Sequence, residues 1–421
     1  MVKGSSSIKG FKDLSPEQRL AEVARLADLD KEEVDLLRRE SPLPLKDASR
    51  IIENVITTLE IPLGIATNFL INGKDYLIPM AVEESSIVAA CSYAAKLARN
   101  SGGFRASASD PMMIGQIQLI NVSDIPGTRE KILANKDRIL LEANTKSRTL
   151  RESGAGAMNL VIREFPEESM VIVHLIVNVM DAMGANVVNT MCEHVSPIIE
   201  EITGNEANLR ILSNLTDLRT ASASAVFMKE DIGGEEAVRR IMQAYRFAMI
   251  DPYRAATHNK GVLNGIDAVI LATMNDWRAI EAGAHSYASV NGYHSLTNYR
   301  VDENGNLEVS IKLPLAVGTV GGATSSIPKA KIVKKILGVK DSGEFAGVLA
   351  SVGLAQNFAA VRALSVEGIQ KGHMALHSKN VAVSAGAKDS EIDEIARIMV
   401  SEGNISVSHA SELLSRLKER K

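Results

Sequence analysis

The stretch Arg254–Ala279, RAATHNKGVLNGIDAVILATMNDWRA, sets an amine, amides and carboxylates into an otherwise apolar helical pattern. Lys260, Asn264 and Asp267 follow i, i+4, i+7 and share one helix face, while Val262, Ile266, Val269 and Ile270 turn the other way. These types carry charge and protons, and a solvated polar stripe explains the same letters. Glu84, in VEESSIVAA, falls where a strand pattern gives way to a helix. The helix dipole holds such a carboxylate as the anion unless burial or a neighbouring acid opposes it. DAMGAN, Asp181–Asn186, stands where an apolar strand ends and a helix begins. Gly184 lets a ligand approach the backbone there, and the free N–H groups of the helix start attract phosphate; a plain turn is the alternative reading. His373 and His377 have the i, i+4 spacing of zinc ligands, but Met374 follows the first, where a zinc hydrolase needs glutamate, so no metal is expected. No Walker loop, G-x-S-x-G elbow or strand-following G-x-G-x-x-G is present.

The elements that must position these residues alternate in kind. Ser15, Pro16 and Gln18 mark a capped helix, and a second begins near Asp30. Two strands surround Asn72-Gly73, and an alanine-rich helix then runs to about Gly102. From Met112 to Leu215 the order is strand IGQIQLINV, helix TREKILANKDRILLEA, strand MNLVIREF, strand MVIVHLIVNV, helix NVVNTMCEHVSPIIEEI, strand NLRILSNL. That β-α-β-β-α-β order is the ferredoxin-like unit. Helical patterns dominate on both sides of it, a hairpin is expected about Asn304-Gly305, and two short helices close the chain. The expected class is α+β: a large, mostly helical domain from residues 1–110 and 216–367, an inserted ferredoxin-like domain at 111–215, and a small helical segment at 368–421.

Composition bounds the function. A chain of 421 residues that is 45% hydrophobic can build large cores. With 4% aromatics and a net charge of −4 it offers neither a stacking platform nor a basic face for nucleic acid. Cys91 and Cys192 lie far apart in apolar helical segments, which fits buried thiols in a reducing, cytoplasmic compartment. The run VIVHLIVNV is too short to span a bilayer, and no membrane anchor is expected.

Taken together, ENVITTLEIPLGIATNF, VEESSIVAA, DAMGANVVNT, RILSNL, DPYRAATHNKGVLNGID, NDWRAIEAGAHSYA, VGTVGGAT, GLAQN and EGIQKGHMALH resemble the class II, soluble, 3-hydroxy-3-methylglutaryl-CoA (HMG-CoA) reductases, in family order. The resemblance implies a four-electron reduction of the thioester to mevalonate and CoA by two nicotinamide hydrides. It implies Glu84, Lys260, Asp276 and His373 as catalytic residues, with Asp276 close to both Lys260 and Glu84 in a water-poor site. Lys260 would stabilise the oxyanion, Glu84 supply protons, and His373 protonate the departing CoA thiolate. Ser86, Arg254 and Asn264 would hold the acyl group, and Lys12 a CoA phosphate. Asp181, Met183, Gly184, Asn186 and Asn214 would line the dinucleotide on the inserted domain.

NADH-preferring members of that family tend to carry an acid at the Ser147 position. Here Lys146, Ser147 and Arg148 suit a 2′-phosphate instead, so NADPH is the expected coenzyme, although cations at a helix C-terminus also simply complement its dipole. The segment after Glu367 resembles the family's mobile flap, with Gly368 and Gly372 as hinge. Self-association is implied, with the active site at a dimer interface and three dimers forming a hexamer. Two other readings stay open: the same enzyme run oxidatively on mevalonate, or a non-redox CoA-thioester enzyme such as a lyase. A silent binding protein is hard to reconcile with four occupied catalytic positions.

Overall fold

The computed structural model describes residues 3–38, 43–322, 327–367, 378–388 and 390–419. Local signals set the first elements. The Ser15 N–H donates to Gln18 Oε1 and Ser15 Oγ accepts from the Gln18 N–H, so a closed capping box starts the helix Pro16–Ala27. Asp30 and Glu33 make the same exchange at Lys31–Arg38. β1 (Leu63–Ile71) and β2 (Lys74–Ala81) pair antiparallel about Asn72-Gly73, whose φ angles of 50° and 76° fit the type I′ turn. The helix Ile87–Arg99 packs on β1, and β3 (Arg105–Ala108) follows it.

β4 (Met112–Ile120), β5 (Gly156–Phe165), β6 (Met170–Asn178) and β7 (Glu206–Leu212) form one antiparallel sheet in the order β5-β6-β4-β7, the ferredoxin-like arrangement expected. Ile117, Val173 and Leu175 bury against Ile132, Ile139, Val188, Met191 and Val195 of the covering helices, a core separate from that of the rest of the chain. The first connection differs from the expected single helix. Asn135 ends one helix, Ile125–Ala134, and precedes the next, Lys136–Asn144; its side-chain amide donates to the Lys131 carbonyl. An asparagine that satisfies nearby backbone in this way competes with helix continuation. Ser147 then caps a third short helix, Arg148–Glu152.

A second four-stranded sheet was legible only as its terminal hairpin. β8 (Thr220–Phe227), β9 (Thr297–Val301) and β10 (Leu307–Pro314) join β3 in the order β3-β8-β10-β9. β8 turns Ala221, Ala223 and Ala225 inward and leaves Ser222 and Ser224 less buried. The sheet lies on the helix Ser342–Arg362, almost every residue of which is buried. By length and composition Ser342–Val366 could cross a membrane, but 89% of its apolar window is buried inside the protein, which makes it the core helix.

Against this core helix lies Pro252–Ala272, which carries Lys260. Asp251 caps it, accepting from the Arg254 N–H at 2.8 Å, and Pro252 occupies its first position. Small residues bring the two axes close: a Cβ on Gly265 would lie 2.9 Å from Gln356 Cβ and 3.1 Å from the Val352 carbonyl oxygen. Overpacking of this kind costs about 1–3 kcal/mol. Gly265→Ala is therefore expected to lower Tm by at least about 2 °C in calorimetry; an unchanged Tm would mean that the two helices have room to separate.

Candidate active site

Glu84 lies in the turn between β2 and the helix Ile87–Arg99. Lys260 Nζ stands 3.3 Å from Glu84 Oε2, so the structure brings these two expected residues together. Ser86, two positions after Glu84, has φ 77°, a left-handed conformation that side chains rarely adopt, and its hydroxyl is buried without a hydrogen-bond partner. Such strain and such an orphaned donor concentrate where ligands bind. The side chains of Arg254 and Asn264, on the Lys260 helix, make no hydrogen bond or ion pair among the described residues. His258, between them, is buried and neutral: burial first, then the Arg254 charge, pulls it down to about 4. Its Nε2 lies 2.7 Å from Thr297 Oγ1, which anchors the helix to β9.

Asp276 does not join the pair within one chain. The helix rises about 18 Å from Lys260 to its end at Ala272, and the chain then turns back only as far as Ile270, whose carbonyl accepts from the Asn275 N–H at 3.0 Å. That leaves about 15 Å of rise between Lys260 and Asp276, beyond the reach of both side chains. Asp276 instead caps the helix Trp277–Ser289, accepting from the Ala279 N–H at 3.1 Å, and pairs with Arg278 at 3.3 Å. Nor is the pair enclosed by its own chain, since the side chains of Lys260 and Glu84 are 61% and 46% exposed. Asp276 stands on the DAMGAN side of the molecule. Asn275 Oδ1 accepts from the Gly318 N–H, and Gly318 packs against the Met183 backbone.

At DAMGAN, Gly184 has φ 101° and faces Val179 so closely that a Cβ would fall 2.7 Å from it, which is why glycine stands there. The helix that follows, Ala185–Thr203, has 19 residues and no side-chain cap, so its first N–H groups fit a dinucleotide phosphate, and Asn186 is exposed in the same turn. Asp181 was expected to line the dinucleotide. Its Oδ1 accepts from the Ser342 N–H at 2.8 Å, a contact that holds the loop to the core helix, and its carbonyl accepts from the Thr319 N–H at 2.9 Å. Met183 is half-buried and Asn214 is exposed at the end of β7, its carbonyl against Gly283. Arg219, which no motif marks, is 4% exposed and donates to the carbonyls of Ala182, Met183 and Val317. Burial, eased by Asp181, brings its guanidinium down to about 10.

The remaining expected contacts divide. Ser147 Oγ accepts from the Leu150 N–H as a helix cap, and Arg148 Nε donates to Glu152 at 2.6 Å; Arg148 and Lys146 are exposed. Lys12 is exposed in the turn Phe11–Asp13. His373, His377, Gly368 and Gly372 lie outside the described residues. Among the described residues no group of three or more His, Cys, Asp or Glu is placed to hold a metal.

A ferredoxin-like unit with an uncapped helix start, set on a helical body that carries a lysine–glutamate pair, defines an α+β protein with two separate candidate sites. Residues 15–378 match the family described as hydroxymethylglutaryl-coenzyme A reductase. The 3-hydroxy-3-methylglutaryl-coenzyme A reductase of Archaeoglobus fulgidus is 55% identical over 98% of this chain and 95% of its own. A probable reductase of the same name from Borreliella burgdorferi is 38% identical over 79% of this chain and 77% of its own. The class II reductase of Streptococcus pneumoniae, in a structure bound to NADPH in open conformations, superposes with a TM-score of 0.82 at 37% identity, covering 96% of this chain and 100% of that one. The chain belongs to the hydroxymethylglutaryl-coenzyme A reductase family.

Replacing Arg219 by methionine strips donors from three carbonyls around the DAMGAN loop. Arg219→Met is expected to lower stability by about 3 kcal/mol and to raise the coenzyme KM more than the KM for the acyl substrate. Denaturant unfolding and steady-state kinetics read the two effects; equal changes in both KM values would contradict the assignment.

Proposed function

We infer that this chain reduces the thioester of HMG-CoA to mevalonate and free CoA, and that Lys260 and Glu84 are its acid–base centre. Family membership supports the reaction class. The observation that carries the residue assignment is the 3.3 Å contact of Lys260 Nζ with Glu84 Oε2 beside the unpartnered Ser86 hydroxyl. A bound reduced nicotinamide supplies the hydride, twice per thioester, and the uncapped start of Ala185–Thr203 with Gly184 is the cradle for its phosphates. Negative charge then grows on the substrate oxygen, where a fixed ammonium stabilises it. Lys260 has that role, and Glu84 gives the proton that neutralises the oxygen. Arg254 meets the acyl carboxylate, with Ser86 and Asn264 on its hydroxyl groups. The CoA thiolate leaves with a proton from His373, which keeps it from adding back to the aldehyde. Asp181, Met183, Asn186 and Asn214 border the dinucleotide, and Lys12 approaches a CoA phosphate. In domain terms, residues 1–110 and 216–367 hold the acyl substrate, 111–215 the coenzyme, and 368–421 the flap.

The working unit is a homodimer in which Asp276 comes from a second copy. Three features support this: the 15 Å or so of helix rise between Lys260 and Ile270, where the turn to Asp276 folds back, the exposure of the Lys260–Glu84 pair, and apolar side chains left in solvent. Ile56, Leu59, Ile250 and Tyr253 are 88%, 93%, 73% and 86% exposed, large apolar side chains that association with a second copy would cover. In the dimer the water-poor site forms, and Asp276 keeps Lys260 charged. Assembly of dimers into a hexamer follows the family resemblance. Both thiols are free and buried, burial pushing Cys91 up and Cys192 up to about 12, which suits a reducing cytoplasm.

Complementation tests the dimer. Lys260→Ala and Asp276→Asn, each folded, are expected to lack turnover separately. Unfolded and refolded together, they form mixed dimers with one intact site in two, so activity returns to about a quarter of wild type. Reduced-nicotinamide absorbance measures it, and no recovery would mean that Lys260 and Asp276 of one chain serve the same site. For the coenzyme, Lys146 without an acid at position 147 supports NADPH, the ligand of the Streptococcus pneumoniae relative. kcat/KM for NADPH is expected to exceed that for NADH by about tenfold; a clear NADH preference would reverse the assignment.

A further inference from the structure

Seven positions beyond Lys260, on the same helix face, Asp267 is largely withdrawn from solvent. Its Oδ1 is buried and has no hydrogen-bond partner. Glu281, on the neighbouring helix Trp277–Ser289, stands within hydrogen-bonding reach of the Asp267 carboxyl. Two ionised carboxylates so placed would repel, and neither could donate to the other. A single proton resolves both defects, because a carboxylic acid becomes the donor and the carboxylate beside it the acceptor.

We propose that Asp267 is a neutral carboxylic acid in the working protein, donating to the Glu281 carboxylate, and that this bond is the clasp fixing the Lys260 helix against the helix that Asp276 caps. Asp267 is thus a positioning residue for the reaction inferred above, on which only the activity measurement below depends.

The surroundings fit that assignment. Glu281 is held from its other side by His285, whose Nε2 lies 3.4 Å from Glu281 Oε2 while its Nδ1 lies 2.7 Å from the Tyr293 hydroxyl. Arg278, one turn before Glu281, is turned to Asp276, and Lys260 is held by Glu84. The other elements packed on the Asp267 helix bring ionisable groups engaged elsewhere. Glu344 holds Lys74 and Tyr76, Asp75 holds Arg99, Cys91 meets Gln356, and Glu236 holds Arg239 and Arg240; Tyr93 lies beside Arg362, Tyr245 bonds Asn298, and Lys96 and Arg246 are exposed. No cation therefore meets the Asp267 carboxyl among the described residues. Burial, with Glu281 beside it, pushes that carboxyl up to about 8.

Two pH windows follow. A carboxyl raised on folding binds its proton more tightly in the native state, so stability is full below its unfolded value near 4 and is lost as pH rises from there to about 8. Within the folded protein the clasp opens as pH passes about 8. For Asp267→Asn the amide donates to Glu281 at every pH. The variant is expected to lack the wild-type decline of Tm across the first window. Its kcat/KM should stay within about twofold between pH 7 and 9, where wild type loses about tenfold.

Infrared difference spectra of the ligand-free protein give a third reading: a protonated-carboxyl band at pH 6 that fades through pH 8 and is absent from Asp267→Asn. If Asp267→Asn does not fold, Glu281→Gln serves, its amide donating to an ionised Asp267 and removing the same alkaline loss. Melting and infrared need no turnover, so they stand even if the reductase assignment fails. A band missing from wild type, or an alkaline fall shared equally by wild type and variant, overturns the proposal.

Discussion

The rigid rise of one α-helix governs the architecture of the site. Pro252–Ala272 carries Lys260 near its middle and delivers the chain to Asp276 beyond its end, and an α-helix cannot shorten to bring them together. Everything that fixes this helix also fixes where the two charges stand. Gly265 sets its depth on the core helix, His258 ties it to β9 through Thr297, and Asp251 secures its first turn. The Lys260–Glu84 pair at one place and the Asp276 turn beside the DAMGAN loop at another are consequences of that spacing.

The inserted sheet has its own core, yet its functional loop is held by the larger body. Arg219 collects three carbonyls, and Asp181 accepts from the start of the core helix. A buried guanidinium is costly to desolvate, and only several well-placed acceptors offset that cost. The loop geometry that leaves the Ala185–Thr203 N–H groups free therefore depends on residues outside the inserted unit.

Much of this was legible in sequence because the signals were local. The capping box at Ser15, the Asn72-Gly73 turn and the β-α-β-β-α-β order of the inserted unit each arise from neighbours in the chain. β3 and β8 were not legible, since TASASAVF alternates alanine with serine and carries little hydrophobic contrast. The core helix escaped for the opposite reason: it is apolar all round and has no stripe. At the site, Glu84 and Lys260 fell together as the family motifs implied, whereas the place of Asp276 depended on helix length and that of Arg219 on carbonyls far away in sequence. The motif marked Asp181 for the dinucleotide but could not show its bond from the Ser342 N–H, which depends on a residue far away in sequence.

The reach of Asp181 to Ser342 also bears on how the chain matures at the ribosome. All but Ala316 of the buried core of the ferredoxin-like unit has been made by Ala207, but Ser342 follows Asp181 by 161 positions. At ordinary translation speeds that is a delay of roughly ten to thirty seconds. During that interval Arg219 can already hold the Ala182 and Met183 carbonyls, but Asp181 lacks its Ser342 partner, so the loop is not finished until the core helix has begun.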